Sequence, residues 1–231
     1  MAAQAARRVI MSMGGGPAVP SLRRGKYIRS GMSNDLNYSD YSPAATLCTN
    51  SGNMQRLFTP VVQGTSAYTR IGDKIRVRSI DAKITLVSAG APTASTVTPV
   101  TIRVIIGYVK SPGGAGLPPI SGTTGVLDST TIATYAYSPY QYDSRERYVI
   151  WYDKLHVLSD YDTTLHRSVD GSLPTIRELR FKKNLNAVMT HTANSGLTTD
   201  VATFLPFVFY CSDSTVTTFQ AFINTRIRFE P

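Results

Sequence analysis

Gln63-Gly-Thr-Ser-Ala-Tyr-Thr-Arg-Ile-Gly-Asp-Lys-Ile75, continued by the run Arg76 to Val87, decides the fold of this chain. Gly64 predicts a first turn. Gly72-Asp73 predicts a second, with glycine supplying a positive φ free of a Cβ clash. The β-branched run that follows suits a pleated, half-buried surface. Ile75 and Val77 point one way, and Lys74, Arg76 and Arg78 the other. Past Ser79 the apolar set becomes Ile80, Ala82, Ile84 and Leu86. Period-2 alternation changes phase only through an extra residue or a break. The spacing therefore predicts a β-bulge close to Arg78-Ser79, the alternative being two short strands meeting at a bend.

Working outward, the composition agrees with an all-β chain. Of 231 residues, 42% are hydrophobic and only 17% charged, and Thr, Ser, Tyr and Val are abundant, which favours strands. This length suits one large β domain with a tail. The net charge is +9, and residues 1–30 hold Arg7, Arg8, Arg23, Arg24, Lys26 and Arg29 with no acid. The excess thus lies mostly in a tail, which points to a polyanion partner, or else to a solubilising extension. Gly and Pro breaks up to Gly31 and the lack of an apolar period make residues 1–34 an expected flexible arm and 35–231 the folded body. Cys48 and Cys211 have no metal spacing, so buried free thiols are expected. No signal peptide is expected, because Val9 to Met13 is too short an apolar run. The longest apolar run, Phe204 to Cys211, is far below a membrane span.

Along the body, Leu36 to Pro43 reads as a lead-in segment, and Ala44 to Asn50 and Met54 to Val62 as short strands around Ser51-Gly52-Asn53. Thr98 to Lys110 reads as a strand with Ile102, Val104, Ile106 and Tyr108 on one face and Thr101 and Arg103 opposite. Ser111 to Tyr142 is long for a loop and ends in Tyr135, Tyr137, Tyr140 and Tyr142. Either contact with neighbouring subunits or internal packing across the end of the domain accounts for it. In Arg147 to Leu158 the expected apolar face is Val149, Trp151, Leu155 and Val157. In Thr175 to Val188 it is Leu179, Phe181 and Leu185. Thr203 to Cys211 and Val216 to Phe229 close the chain. In the last, Phe219, Ala221, Ile223, Ile227 and Phe229 oppose Gln220, Asn224, Arg226 and Arg228, with Phe222 the exception. About eight strands separated by turns predict an antiparallel sandwich.

The sequence offers little catalytic chemistry. Neither a Gly-x-Ser-x-Gly elbow nor a His-Glu-x-x-His pair occurs. The three histidines, His156, His166 and His191, have no spacing that marks a site. The Ser111 to Gly125 glycines lack the Lys-Ser/Thr and helix of a phosphate loop. Asp160, Asp162 and Asp170-Gly171 read as turn residues, the alternative being a partial Ca²⁺ loop. No catalytic residue, metal or cofactor is expected. The expected nucleic-acid-binding residues are Arg7, Arg8, Arg23, Arg24, Lys26 and Arg29. Arginine and lysine neutralise phosphates without a fixed frame. Arg226 and Arg228 share a strand face and either extend that surface or are ordinary exposed strand positions. Tyr27, among the arm charges, either stacks on a base or packs on the body.

The Gln63-Gly64 turn, followed by Arg70-Ile-Gly-Asp-Lys74 opening a long strand, resembles the capsid proteins of small circular single-stranded DNA viruses that encode a Rep replication protein. It is more distantly similar to coat proteins of small plant satellite RNA viruses. Tyr148-Val-Ile-Trp-Tyr-Asp-Lys154 looks like the family's aromatic-Asp-Lys strand. The resemblance implies an eight-stranded jelly roll. It implies a non-enzymatic shell protein of roughly 60 copies with icosahedral symmetry. The implied partner is a single-stranded genome, most simply DNA. The implied location is the virion, with host cytoplasm and nucleus during assembly and no membrane. The arm departs from the family pattern in lacking a dense Arg tract. The alternative function is a jelly-roll carbohydrate- or single-strand-binding module acting as a small oligomer. A β-sandwich enzyme is a third reading, disfavoured by the missing site chemistry.

Overall fold

The computed structural model describes residues 36–66, 69–88, 99–113, 115–128, 135–159, 176–214 and 219–230. Ten strands lie among them, where the sequence predicts about eight: β1 Asn37–Tyr41, β2 Thr46–Cys48, β3 Asn53–Arg56, β4 Lys74–Ser88, β5 Pro99–Val109, β6 Tyr148–Ser159, β7 Ile176–His191, β8 Val201–Thr203, β9 Leu205–Ser212 and β10 Phe219–Glu230. No α-helix occurs among the described residues.

The phase flip in β4 is a bulge. Against β10, Val77 pairs Phe229 and Ser79 pairs Arg228, so Arg78 is the extra residue. Against β7, Val77 faces Ala187 and Ser79 faces Asn184, so the register breaks at the same point on both sides. Ile75, Val77, Ile80, Ala82, Ile84 and Leu86 all bury on one face, none more than 2% exposed. The two turns before β4 are also present, but not for the expected reason. Neither Gly64 nor Gly72 has a positive φ. At Gly64 the constraint is space, because a Cβ would lie 3.0 Å from the Thr69 methyl; at Gly72 a Cβ would meet nothing.

All strand pairs are antiparallel. The larger sheet runs β1-β10-β4-β7-β8, with β2 also on β10, and the smaller runs β3-β9-β5-β6. β1 and β2 lie end to end along one edge of β10, pairing Thr225 to Phe229 and Phe219 to Ala221 respectively. Pro43, which has no N–H to donate, falls in the gap between them. The chain then passes from β2 in the larger sheet to β3 in the smaller one, and from β8 back to β9 at Phe204. Phe204 has φ 60, a rare conformation for a residue with a Cβ. Its ring is buried and packs 4.7 Å from Tyr108 and 6.0 Å from Trp151, and these contacts hold the strained turn.

The inner faces of the sheets share a core. Ala82, Ile84, Leu86, Phe219, Ala221 and Ile223 from the larger sheet join Ile102, Val104, Ile106, Val208 and Tyr210 from the smaller. The central strands of the smaller sheet, β9 and β5, are also buried on their outer face. Every residue of β9 is buried, as its near-continuous apolar run requires of a strand covered on both sides. Ile105, Phe207, Phe209 and Cys211 belong to one cluster with Val126, Leu127, Tyr135 and Ala136 of the long loop. That loop therefore packs over a sheet face rather than across the domain end. Cys48 and Cys211 are buried free thiols as expected.

β6 differs from its expected phase. A bulge at Trp151 shifts its pairing with β5 between Ile106 and Gly107. Leu155 and Val157 then face outward, 50% and 69% exposed, while His156 and Leu158 turn inward. Gly107 lies opposite the bulge, and a Cβ there would be 2.5 Å from the Val149 carbonyl oxygen. Because that oxygen is backbone, Gly107→Ala is expected to cost about 2 kcal/mol. A urea midpoint unchanged from the parent protein would rule this out.

Candidate nucleic-acid interface

The two body residues singled out from sequence, Arg226 and Arg228, alternate outward from β10 between buried Thr225, Ile227 and Phe229. Their face is the outer surface of the larger sheet. Register places Lys74, Arg76 and Lys83 of β4 and Arg180 and Lys182 of β7 on the same surface. The bulged Arg78 joins them, donating to Glu230 at 2.8 and 2.7 Å and to Asn186 at 3.1 Å, both outward-facing. Four carboxylates share the face: Asp40, Asp81, Glu178 and Glu230.

Arg226 clamps Asp40 of β1 with two 2.7 Å hydrogen bonds and lies 4.7 Å from the Tyr38 ring centroid. This bidentate pair holds the Asp40 carboxyl below the usual carboxylate range, and Arg228 adds to the effect. Lys83 and Arg180 both engage Glu178, at 2.8 and 2.6 Å. Lys74, Arg76, Lys182 and Arg228 make no ion pair within 4.0 Å among the described residues. Exposed pairs contribute at most about 1 kcal/mol each, so the face's main property is its surplus of cations. A depression of about 470 Å³ between β1, β4 and β10 is lined by Asp40, Lys83, Asn224, Arg226 and Arg228, among others.

The arm residues Arg7, Arg8, Arg23, Arg24, Lys26 and Arg29, and Tyr27 with them, lie outside the described residues. So do Asp160, Asp162, Asp170 and His166. Among the described residues no three His, Cys, Asp or Glu side chains gather as metal ligands. None of the described helices is long and apolar enough to cross a membrane.

Three side-chain clusters escape the sequence reading. Arg103, outward on β5 yet only 7% exposed, lies under the Tyr-rich loop. It donates to both Asp153 oxygens at 2.9 and 2.7 Å and to the Ser138 carbonyl at 2.5 Å. Tyr140 donates to Asp153 at 2.5 Å and Tyr137 to Asp213 at 2.7 Å. Burial opposes ionisation of Asp153, but the bonds from Arg103 and Tyr140 outweigh it and keep the carboxyl below its ordinary range. The second cluster is centred on Arg70, 1% exposed, which joins the loop before β4 to the loop after β7. Its Nε donates to Val61 O at 3.0 Å and one Nη to Ala193 O at 2.8 Å. Its other Nη meets Gly72 O and, at 3.2 Å, Asp73 Oδ1. Beside it His191 is buried with neither ring nitrogen hydrogen-bonded. Burial, and then the Arg70 charge, push His191 down to about 4. The third is an aromatic row at the β6/β7 edge. One signal was available for the first: Arg103 sits in a strand between apolar Ile102 and Val104, with acids elsewhere to meet it.

Neither a scan against protein-family models nor a search of curated proteins finds a match to this chain.

Proposed function

We propose that this chain is a capsid protein with a jelly-roll body, which assembles with copies of itself and packages single-stranded nucleic acid through its basic arm and the outer face of its larger sheet. The strand order carries the reading. With β1 and β2 counted as one strand and β8 set aside, β1/β2-β10-β4-β7 lies against β3-β9-β5-β6, and successive strands alternate between the sheets except for the β5–β6 pair. That is the order expected of eight jelly-roll strands when β1 and β2 are taken as one broken strand and β8 as an addition. The motif read from sequence adds support, since Gln63 and Arg70 are bridged around the turn that opens β4.

Electron microscopy of the purified protein tests assembly: closed shells are expected, and small oligomers would favour a binding module. Nuclease digestion of nucleic acid extracted from the particles decides DNA against RNA. Binding is expected to be electrostatic. Each phosphate contact on a single strand contributes about −0.7 to the slope of log affinity against log salt. Arg23→Ala with Arg24→Ala should thus flatten the slope by about 1.4 and weaken unrelated sequences equally. A slope that does not move would take those two residues out of the interface.

A further inference from the structure

Among the described residues, β6 pairs only with β5, and β7 pairs beyond β4 only at its end, through Thr190 and His191. Among the described residues no strand fills the edge between them, and aromatic and cationic side chains gather along it. A half-buried aromatic row runs along it. Trp151 stacks on Phe181 with centroids 5.9 Å apart and planes at 17°. Tyr152 meets Phe181 edge-on at 6.4 Å and stacks on His156 at 6.2 Å and 11°. The Tyr152 hydroxyl and His156 Nε2 are 2.9 Å apart.

Register also turns Lys154, paired with Val104, to this inner side, as it does Arg177, paired with Leu86, and Lys183, paired with Ile80. All three cations are exposed. Lys154 lies 5.7 Å from the Tyr152 ring centroid. Burial, followed by the Arg177 and Lys154 charges, keeps His156 below the ordinary histidine range. None of the three cations makes an ion pair among the described residues. The inward positions of β6 from Tyr152 and of β7 to Lys183 include no carboxylate.

Aromatic faces interleaved with unpaired cations are what a single strand meets when it is bound without sequence preference: phosphates on the charges, bases on the rings. We infer that the open edge between β6 and β7 is a second contact for single-stranded nucleic acid, separate from the arm and from the Arg226 face, which holds unpaired bases against the Trp151–Phe181–Tyr152 row. The inference rests on the packaging reading above and adds base stacking to it.

Trp151 is the chain's single tryptophan, so its emission reports on this edge alone. Full-length protein is titrated with end-labelled oligo-dT of ten nucleotides and with an abasic decamer of equal phosphate number. Binding is followed by anisotropy of the label and stacking by Trp151 emission. Oligo-dT is expected to quench Trp151, and the abasic strand to bind without quenching. Phe181→Leu is expected to weaken oligo-dT by about 5-fold or more, the effect of losing one stacked base, and to leave the abasic strand unchanged. The surface variant Lys154→Gln/Arg177→Gln/Lys183→Gln, which leaves the ring–ring contacts in place, is expected to weaken both strands. If both strands bind but quench equally or not at all, or if the triple variant binds as the parent does, this edge is overturned while packaging through the arm stands. If neither strand binds, both readings fall.

Discussion

Arg70→Ala is expected to lower the stability of the body by about 3–5 kcal/mol, the summed cost of buried carbonyls left without a donor and of the cavity left behind. For a domain of this size that is a drop of roughly 10 °C in the unfolding midpoint. The guanidinium is almost wholly enclosed, and its partners are chiefly backbone carbonyls of two separate loops. Truncation leaves the Val61 and Ala193 oxygens without their donor and opens a cavity, and both effects destabilise. Arg70→Lys should recover little, since one ammonium cannot reproduce a planar fork that reaches carbonyls in different directions. Thermal unfolding by circular dichroism measures it. A loss under about 1 kcal/mol would show that the two loops hold together without Arg70.

The same junction should make the protein sensitive to mild acid. His191 is held neutral, with its folded pKa near 4 against about 6.5 in an unfolded chain. As pH falls below 6.5 the unfolded state takes up the proton first, so stability falls with pH until about pH 4, where the folded state is protonated as well. At about 1.4 kcal/mol for each pH unit of that window, the loss is roughly 3–3.5 kcal/mol. The groups facing the ring are Arg70, whose charge opposes protonation, and Asp73 and Asp200, which favour it more weakly. His191→Phe removes the titration and both unbonded nitrogens. Its stability relative to the parent should therefore rise steadily as pH drops from 6.5 to 4. The carboxylates held low by their partners, Asp40, Asp153, Glu178 and Glu230 among them, act mainly below that window. They, and the shared His156, cancel in the comparison. Parallel pH curves for the two proteins would discard the mechanism.

Where alternation is clean and the strand is central, sequence is a good guide. β10 has its buried and exposed positions as read, with even the exception, Phe222, at 40% exposure. The β4 bulge is legible because an inserted residue must reverse the pattern. β1 is not legible: Asn-Tyr-Ser-Asp-Tyr carries no apolar alternation, and it becomes a strand only by pairing with β10. β6 misleads because its bulge falls at Trp151 and because Leu155 and Val157 lie on an outward edge, so hydrophobicity points to the wrong face. Arg70 and Arg103 are missed for a common reason. A buried arginine is identified by the carbonyls and carboxylates that fold around it, and those come from 50 residues away for Asp153 and 123 for Ala193. On the outer face of the larger sheet, the outward direction of Arg226 and Arg228 was legible. The surplus of charge around them was not, because it is assembled from three strands.

β10 has consequences for when the larger sheet can close during the protein's own synthesis. The strand is the neighbour of β1, β2 and β4 at once, yet it is translated after all of them. A ribosome adding about 5–20 residues per second exposes the basic arm many seconds before Arg226 and Arg228 exist. Until Phe219–Glu230 emerges, β1 and β2 have no partner in their sheet and the cationic face is incomplete. A nascent or prematurely terminated chain thus carries the basic N-terminal sequence without the completed strand face. Only a finished chain carries both, so chain completion itself sets when the cationic face exists.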